Sequence, residues 1–377
     1  MCFHHSDFDA HEHVAFAHDD ASGLTAIIAI HDTRLGPALG GTRFWRYADT
    51  DAAISDALRL SRGMTYKNAV VGLNWGGGKA VIIGDPARDK SPALWRAYAE
   101  ALNRLGGLFL TGEDVGMTVA DVDAVRRHCP YIVGSSSGAA ASGDPSPFTA
   151  EGVFLGLGAT AKAARGVADL TGIRVGVLGL GSVGWKLAEK LHGAGAKLIV
   201  ADLDADKAKR AADAFGAETA APDTLIRCEM DVFSPCALGG TLDESAVEGL
   251  KAFAIAGAAN NQLATPDMDL ALAQRGILYA PDYVVNAGGV LNVAAEAEGD
   301  YDADSVMARV RRIPETLTAI FNRAKATGRP TSEVADAVAG SVCRRRHRPP
   351  RRKAFNRLRT DRPWTIRPTP PPAWGVR

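Results

Sequence analysis

The sequence predicts an α/β protein of two domains, the second built on a doubly wound parallel sheet. Three observations support this prediction. The chain has 377 residues, and a domain takes roughly 150. A run of small, polar and proline residues at 134–147, GSSSGAAASGDPSP, separates two parts of the chain. Beyond it, strand and helix patterns alternate, as they do when helices connect parallel strands.

The first domain, residues 1–135, mixes strands and helices. Branched apolar residues bounded by Gly and Asp predict strands, and apolar residues four apart predict helices. Asp49 or Thr50 is the predicted N-cap of the longest helix. The predicted elements are strands at 23–33 and 79–86, a Gly-rich loop at 36–45 that enters another strand, and helices at 49–69 and near 91–104.

The second domain, residues 148–319, follows a linker at 136–147. Its regular alternation of helices and buried strands predicts the doubly wound parallel sheet. The helices are expected at 149–164, 182–194, 205–215 and 302–326, and the strands at 173–178, 197–202, 252–256 and 277–279.

The composition is that of a soluble globular protein. Hydrophobic residues make up 46% of the chain and charged residues 23%, a usual balance for this class, and no run approaches the ~18 apolar residues of a membrane helix. The acidic, His-rich start lacks the basic and apolar regions of a secretory signal. The five cysteines are scattered, without a CxxC pair, which indicates reduced thiols in the cytoplasm.

Four histidines near the start, His4, His5, His11 and His13, raise the question of a metal site. No cysteine or carboxylate framework accompanies them. We therefore expect no metal and interpret these histidines as part of a solvated N-terminal face.

A dinucleotide site is predicted where an apolar strand turns into a helix around the motif Gly-x-Gly-x-x-Gly. The first glycine allows the tight turn, the second lets a pyrophosphate approach the backbone, and the third lets the helix pack on the strand. The helix N-terminus adds N–H donors and the positive end of its dipole. The residues of this site are Gly179, Leu180, Gly181, Ser182, Val183 and Gly184.

The following strand ends at Asp202, 23 residues after Gly179. A carboxylate at this place hydrogen-bonds the adenosine ribose and repels a 2′-phosphate. Leu203 and Asp204 come next, where an NADP site would favour arginine. We therefore expect a Rossmann domain that binds NAD rather than NADP.

Two lysines stand in an unusual setting, the Gly-rich apolar segment MTYKNAVVGLNWGGGKAVIIGD. Lys67 and Lys79 are twelve residues apart, at the end of the predicted helix and the start of the predicted strand. Apolar surroundings and a second ammonium both lower the pKa of a lysine, which can make it a base near neutral pH. Asp114, in TGEDVG, is a candidate to complete the group. One cation could bind a carboxylate substrate and the other could transfer protons.

Seven motifs in this order resemble the NAD-dependent Glu/Leu/Phe/Val amino acid dehydrogenases, over about residues 10–340. In these motifs the chain is closest to the leucine-specific members of the family. The motifs are GPALGGTRFW, MTYKNAVVGLNWGGGKAVIIGDP, TGEDVG, GDPSP, SPCALGG, GAANNQL and YAPDYVVNAGGVLN.

The resemblance implies a role for each matching residue. Lys67 would bind the substrate carboxylate, Lys79 would activate the water that attacks an imino acid, and Asp114 would exchange protons with the leaving amine. The residues implied beside the substrate are Gly40, Gly41 and Asn286, and those implied to hold the cofactor are Thr149, Cys236, Ala237 and Asn261. The reaction implied is reversible oxidative deamination of an L-amino acid to a 2-oxo acid and ammonia. Like other family members, the protein is expected to form a homo-oligomer.

The size of the side-chain pocket decides the substrate. The resemblance implies that Leu39, Gly112, Val290 and Val293 line it. The two valines favour leucine, valine and isoleucine, whereas glycine at 112 is similar to the phenylalanine enzymes and keeps phenylalanine as the alternative. A methylene group is worth only ~1–3 kcal/mol in such discrimination.

The chain changes character after Gly340. From Ser341 to Arg377 it carries eleven arginines, one lysine and seven prolines against a single acid, Asp361. The family resemblance implies that helices near 320–340 return to the first domain, and the sequence turns to Arg and Pro instead of completing the last one. We interpret 341–377 as a poorly packed tail or the product of a frameshift.

The rival interpretations are a tail that binds nucleic acid through its phosphates and an inactive NAD-binding regulator, and the retention of Lys67, Lys79 and Asp114 argues against the latter.

Overall fold

A computed structural model describes residues 2–136, 141–299 and 301–345. Two six-stranded sheets form the frame of these residues. The first sheet comes from the N-terminal part of the chain and the second from the part that follows the predicted linker. The α/β class with two domains is therefore confirmed.

The first sheet is mixed. Its strands are β1 (His13–Asp19), β2 (Leu24–Asp32), β3 (Ala38–Leu39), β4 (Thr42–Trp45), β5 (Gly76–Ile83) and β6 (Phe109–Leu110). They lie in the order β1-β2-β5-β3-β6, with β4 also paired to β5. β2 runs antiparallel to β1 and β5, whereas β3 and β4 run parallel to β5. The helices of this domain are α1 (Thr50–Val70), α2 (Pro92–Arg104) and α3 (Val119–Arg126).

The long helix α1 begins where the sequence predicts. The Asp49 side chain accepts a hydrogen bond from the Ala52 N–H at 2.8 Å, which satisfies one of the unpaired donors of the first turn. Ser91 caps α2 in the same way through the Leu94 N–H. The predicted cap at Asp49 and both helices are confirmed to within a residue or two.

The strand that carries Lys79 starts earlier than predicted, at Gly76. The three glycines pair with β2 and β3 and are packed tightly by the protein itself. A Cβ at Gly77 would lie 2.1 Å from the Thr65 nitrogen, and one at Gly78 would lie 2.7 Å from the Phe109 ring. Lys79 therefore lies inside β5 rather than at its start, and the glycines admit neighbouring chain segments.

The second sheet is parallel throughout. Its strands are β7 (Arg174–Leu178), β8 (Lys197–Ala201), β9 (Glu218–Thr219), β10 (Val232–Pro235), β11 (Ala254–Ile255) and β12 (Leu278–Tyr279). Their order is β12-β11-β10-β7-β8-β9, the doubly wound arrangement that the alternation predicts. Helix α4 (Ser146–Arg165) precedes the first of these strands, and the helices between the strands are α5 (Ser182–Gly193), α6 (Ala205–Phe215), α7 (Glu244–Gly249) and α8 (Asp267–Gln274).

Two features of this half differ from the predictions. Strands β9 and β10 were not expected, because a two-residue strand and a VFSP segment leave no apolar run long enough to detect. Helix α4 begins at Ser146 and so takes two residues from the predicted linker. Pro147 suits that first turn, where its missing N–H would have no partner.

The C-terminal helices are α9 (Asp282–Val285), α10 (Gly288–Glu298), α11 (Ala303–Val310), α12 (Ile313–Thr327) and α13 (Thr331–Arg345). Helix α13 packs on α1 of the first domain and on α12, and its start is held by the buried Asp269, which accepts from the Ser332 N–H at 2.7 Å. The helix does not end at Gly340 but continues to Arg345, with Cys343 buried. The first five residues of the predicted tail, 341–345, are therefore helical, which corrects the prediction for them. The rest of the predicted tail lies outside the described residues.

The prediction of a solvated N-terminal histidine face is wrong for His5 and His11. The His5 side chain is only 10% exposed and lies 3.5 Å from the Asp51 carboxylate. His11 is only 6% exposed, and its Nε2 lies 3.0 Å from both the Leu58 carbonyl oxygen and the Ser61 Oγ of α1. His11 also contacts His31 of β2, with ring centroids 4.9 Å apart. His4 and His13 are exposed, as expected.

Candidate active site

A cavity of about 430 Å³ opens between the two sheets. The first domain contributes the end of β4 and the loop after β6, and the second contributes the loops that follow β10 and β11. Those loops lie at the carboxyl ends of parallel strands, where open α/β sheets bind their ligands. The lining residues include Arg43, Asp56, Val115, Ala237, Asn260 and Asn261.

Lys79 and Asp114 form an ion pair at one side of this cleft. The Lys79 Nζ lies 2.6 Å from the Asp114 Oδ2, and both side chains are largely buried. Burial opposes ionisation of the carboxyl, but Lys79 and Arg43 outweigh it and hold the pKa of Asp114 well below its ordinary range. The pair provides a proton donor and a proton acceptor already in hydrogen-bond contact.

A second cation contacts the same carboxylate. The Arg43 Nε donates to the Asp114 Oδ2 at 3.2 Å. Its Nη1 donates to both oxygens of Asp56, at 2.9 and 3.2 Å. The Tyr47 hydroxyl donates to the Asp56 Oδ2 at 2.6 Å. A chain of charged groups therefore leads from Lys79 to Tyr47 through β4 and α1.

Lys67 reaches from the first domain to the second. Its Nζ donates to the Asn260 Oδ1 at 3.1 Å, and the Asn286 Nδ2 donates to the same oxygen at 2.8 Å. Asn286 also donates to the Ala258 carbonyl. Because the ammonium can only donate, these bonds fix the orientation of both amides. The Oδ1 of Asn286 is left buried and without a partner.

The pKa of Lys67 is lowered to about 8. Burial is the main cause, and the ammonium of Lys79 adds to it, whereas the carboxylates of Asp282 and Asp114 act in the opposite direction. The lowered pKa that the sequence suggests for this pair is thus found at Lys67. Lys79 has its positive charge balanced by Asp114 at short range.

Gly40 and Gly41 leave no room for side chains beside the ion pair. A Cβ at Gly40 would lie 1.8 Å from the Gly78 carbonyl oxygen. One at Gly41 would lie 3.2 Å from the Asp114 Cβ and 3.4 Å from the Lys79 Nζ. The backbone at these positions can therefore face the reacting groups directly.

The Gly-rich turn of the second domain has the geometry that a dinucleotide needs. Gly179 has φ +98°, a conformation that favours glycine, and a Cβ there would lie 2.8 Å from Ala237. A Cβ at Gly184 would lie 1.9 Å from the Gly179 carbonyl oxygen. Gly181 has no heavy atom within 4 Å of its Cβ position, so the space before the N-terminus of α5 is open. A pyrophosphate fits this open cradle.

Asp202 directly follows β8 and accepts hydrogen bonds from the Gly-rich turn and from the loop after β8. Its Oδ2 accepts from the Leu180 N–H at 2.6 Å and its Oδ1 from the Asp204 N–H at 2.9 Å. An adjacent cavity of about 370 Å³ is lined by the residues Leu180, Gly181, Ser182, Trp185, Lys186, Lys207 and Arg210. The carboxylate is thus held at the edge of the space that an adenosine ribose would enter.

The other predicted cofactor residues surround the same turn and the cleft. The Cys236 backbone N–H donates to the Leu178 carbonyl at 2.7 Å, and its Cβ lies 3.3 Å from the Cβ position of Gly184. Burial raises the pKa of the Cys236 thiol, in keeping with a packed apolar group. Thr149 lies in α4 and donates to the Pro145 carbonyl. Asn261 lines the cleft with φ +51°.

The residues predicted to line a side-chain pocket come from three elements. Leu39, in β3, and Val290, in α10, are buried in one hydrophobic cluster, and Val293 packs partly buried against it. Gly112 is buried beside Val133, whose carbonyl oxygen would lie 3.2 Å from a Cβ at 112. The structure thus places Leu39, Val290 and Val293 in one apolar cluster and Gly112 in the segment after β6.

Four residues of the cleft were not predicted. Arg43 and Asn260 lie inside two of the motifs, GPALGGTRFW and GAANNQL. The signal that could have identified Arg43 is a lone arginine in a Gly-rich segment. Asp282 interacts electrostatically with Lys67, and Asp56 pairs with Arg43. The last two could not be found from spacing, because only the docking of α1 and α9 brings them to the cleft.

Residues 2–136, 141–299 and 301–345 contain no group of three or more His, Cys, Asp or Glu side chains placed to hold a metal ion. No helix in these ranges is long and apolar enough to cross a membrane.

Fold and site together define a two-domain, dinucleotide-binding enzyme whose cleft carries a buried lysine–aspartate pair. Family models match two parts of the chain: the Glu/Leu/Phe/Val dehydrogenase dimerisation domain over residues 9–135, and the Glutamate/Leucine/Phenylalanine/Valine dehydrogenase domain over 200–341. The NAD-binding domain of D-isomer specific 2-hydroxyacid dehydrogenases matches 151–245. The chain belongs to the Glu/Leu/Phe/Val dehydrogenase family and is an NAD-dependent amino acid dehydrogenase.

Similar proteins agree over most of the length. Leucine dehydrogenase of Geobacillus stearothermophilus is 49% identical over 87% of this chain and 89% of its own. Valine dehydrogenase of Streptomyces virginiae is 50% identical over 89% of this chain and 94% of its own. The crystal structure of L-tryptophan dehydrogenase from Nostoc punctiforme, 42% identical, superposes with a TM-score of 0.76 over 90% of this chain and 97% of that one.

Proposed function

We propose that this protein catalyses the reversible NAD-dependent oxidative deamination of L-leucine, and also of valine and isoleucine, to the 2-oxo acid and ammonia. The observation that carries the proposal is the Lys79–Asp114 pair, 2.6 Å apart in a cleft that Lys67 and Asn260 span. The named activities of relatives nearly half identical in sequence support the choice of substrate. In this proposal residues 1–135 hold the amino acid and residues 148–319 hold the cofactor.

Each charged group of the cleft has one task in the proposed reaction. The Lys67 ammonium binds the substrate carboxylate, because among the described residues its hydrogen-bond partner is the neutral amide of Asn260 rather than a carboxylate. The backbone at Gly40 and Gly41 lines the same space. The buried, unpartnered Oδ1 of Asn286 is available to accept from the substrate ammonium or from the carboxamide of the cofactor.

Proton transfer falls to the ion pair. The substrate ammonium first gives a proton to solvent. NAD⁺ held at the Gly-rich turn would supply the acceptor for the hydride from the Cα atom, so that an imino acid remains. Lys79, once it has passed a proton to Asp114 or to solvent, takes a proton from the water that attacks the imine carbon. Asp114 then gives a proton to the departing amine. The 2.6 Å contact lets the proton pass between the two groups without rearrangement.

Replacing Lys79 by alanine tests this proposal. We expect the Lys79→Ala variant to lose about 10²–10⁴-fold in turnover of L-leucine, the usual contribution of a general base, while its affinity for NAD stays unchanged. Initial rates of NAD reduction and NADH fluorescence titration measure the two quantities. Lys325→Ala, at an exposed site on α12, is the control. Turnover of Lys79→Ala near that of the parent protein would contradict the proposal.

A panel of L-amino acids tests the choice of substrate. We expect higher kcat/KM for leucine, valine and isoleucine than for phenylalanine, because the residues that the family resemblance assigns to the side-chain pocket include Leu39, Val290 and Val293, which lie in one apolar cluster. A clear preference for phenylalanine would favour the alternative instead. In that case Gly112, which lacks a side chain next to Val133, would be the residue that makes room for the ring.

We also propose that the protein acts in the cytoplasm as a homo-oligomer. The four cysteines Cys129, Cys228, Cys236 and Cys343 are unpaired, as is usual in a reducing compartment. The match of residues 9–135 to a dimerisation domain supports self-association. Light scattering coupled to size-exclusion chromatography and fractionation of the producing cells test the two statements.

A further inference from the structure

The carboxylate of Asp114 is contacted by more than its catalytic partner. Its Oδ2 accepts hydrogen bonds from the Lys79 Nζ and from the Arg43 Nε. One oxygen thus receives two cationic donors from two adjacent strands, β5 and β4. Rotation of the carboxylate would break both bonds, so Arg43 limits the orientations that Asp114 can adopt.

Arg43 is itself held by a second acid, Asp56, on the side opposite its contact with Asp114. The side chains of Arg43 and Asp56 are 18% and 23% exposed, and the two hydrogen bonds between them come from one guanidinium nitrogen. The Tyr47 hydroxyl donates to the same carboxylate. A partly buried arginine with an acid at either end carries a positive charge that is nearly balanced.

We propose that Arg43 and Asp56 are positioning residues that orient Asp114 and set the proton affinity of the Lys79–Asp114 pair. This inference rests on the proposed function of that pair. Neither residue touches the substrate carbon in this account, and each acts through Asp114. The balance between their two charges, rather than either charge alone, determines how easily the pair releases and takes up protons.

Several charged groups surround the pair, and all of them enter the charge balance. Lys79 faces Asp114 from β5, Arg43 from β4 and Lys67 from α1. Glu113 precedes Asp114 in the chain, and its own pKa is raised by burial and by the nearby acids. Asp56, on α1, and Tyr47 complete the set. Among these groups, Arg43 and Asp56 can be changed while both members of the pair are kept.

Opposite charge changes at these two positions have opposite consequences. Loss of the Arg43 charge removes a cation that favours the deprotonated form of Asp114, so the pKa of Asp114 rises. Loss of the Asp56 charge leaves Arg43 unbalanced, so the pKa of Asp114 falls. Two residues that only supported the fold would not shift the pKa in opposite directions.

The experiment compares pH profiles of kcat/KM for L-leucine oxidation in the full-length protein. We expect Arg43→Gln to move the acidic limb to higher pH by about half a unit or more, and Asp56→Asn to move it to lower pH by a similar amount. Both variants should lose about tenfold or more in kcat, with the KM for NAD unchanged. Arg43→Lys should bring the limb back towards that of the parent protein but not restore kcat, because an ammonium cannot bridge both acids.

Asp51→Asn is the matched control, since Asp51 lies on α1 with its side chain 82% exposed, and its profile should equal that of the parent protein. Shifts of the same sign, or no shifts, in Arg43→Gln and Asp56→Asn would overturn the inference. If Arg43→Gln does not fold, the comparison of Asp56→Asn with Arg43→Lys decides, because only the former changes the net charge. High activity of Lys79→Ala would instead refute the proposed function, so the two failures are distinguishable.

Discussion

Position 41 shows how a single missing methyl group shapes the site. Gly41 lies where a Cβ would be 3.0 Å from the Glu113 carbonyl oxygen, 3.2 Å from the Asp114 Cβ and 3.4 Å from the Lys79 Nζ. Two of these contacts are tighter than most that a Cβ makes in proteins. Alanine would therefore push apart the two groups that transfer protons.

We expect Gly41→Ala to lower kcat for leucine by about 10²-fold, since a displacement of about 1 Å in a catalytic group can cost that much. The affinity for NAD should not change, because Gly41 belongs to the other domain. Gly63→Ala in α1 is the control, as its Cβ position is open to a distance of 4 Å. Steady-state rates decide, and equal kcat in both variants would contradict the expectation.

The lowered pKa of Lys67 has a consequence for substrate binding. With a pKa of about 8, the side chain is mostly neutral at pH 9 in the free protein and becomes charged again when a carboxylate binds. We expect binding of 4-methyl-2-oxopentanoate, in the presence of NADH, to take up most of a proton at pH 9 and almost none at pH 6.5.

Calorimetry in buffers of different ionisation enthalpy measures this uptake. Lys67→Arg is the informative variant, because a guanidinium stays charged throughout the pH range. It should bind the 2-oxo acid without proton uptake at pH 9. Equal uptake in the variant would assign the proton to another group, such as the Lys79–Asp114 pair.

At the scale of elements, a pair of buried histidines joins β2 to α1. The His31 Nδ1 lies 2.8 Å from the Thr65 Oγ1, and His11 contacts the Leu58 carbonyl and Ser61. Burial, and then the neighbouring His11, lowers the pKa of His31 to about 4. Both histidines are therefore folded in their neutral form.

The stability of the protein should fall as these histidines are forced to protonate. Between pH 6.5 and about 4 the folded state binds fewer protons at His31 than the unfolded chain, so lowering the pH favours unfolding. We expect His31 alone to cost about 3 kcal/mol in the free energy of unfolding over this window. Urea titrations at several pH values measure it. His31→Gln should show a shallower dependence, and exposed His13→Gln should match the parent protein.

The elements differ in how well the sequence predicts them, and the reason is local. Helices α1, α2 and α6 carry their own side-chain caps, α5 follows the Gly-rich turn, and each was predicted to within a few residues. Strands β9 and β10 exist through their pairing with β8 and β7. Helix α13 continues past Gly340 because α1 and α12 bury its apolar face, and composition alone suggested an earlier end.

At the scale of the molecule, the hydrogen bond from Lys67 to Asn260 directly links the two domains in the cleft. It joins the end of α1 to the loop after β11 across 193 positions of sequence. Asn286 holds that loop in place from the second domain. The position of the carboxylate-binding cation is thus set jointly by both domains.

We expect Asn260→Ala to raise the KM for leucine by roughly tenfold, since Lys67 would lose the partner that fixes its ammonium and a hydrogen bond to a charged group is worth about 1.5–3 kcal/mol. The Tm should change little, because Asn260 is exposed. Asn103→Ala, whose side chain donates to the His128 carbonyl far from the cleft, serves as the control. An unchanged KM would show that the Lys67–Asn260 bond does not serve substrate binding.

The sequence alone determined the α/β class, the parallel sheet, the Gly-rich turn with Asp202, and the candidate group Lys67, Lys79 and Asp114. These features depend on periodicity, glycine conformation and the type of charge, which neighbouring residues encode. The tertiary structure decided which lysine has the lowered pKa, what surrounds the three glycines of β5, and that Arg43 and Asp56 stand behind Asp114. Burial and electrostatic coupling depend on distances between segments far apart in the chain, and only the packed fold sets those distances.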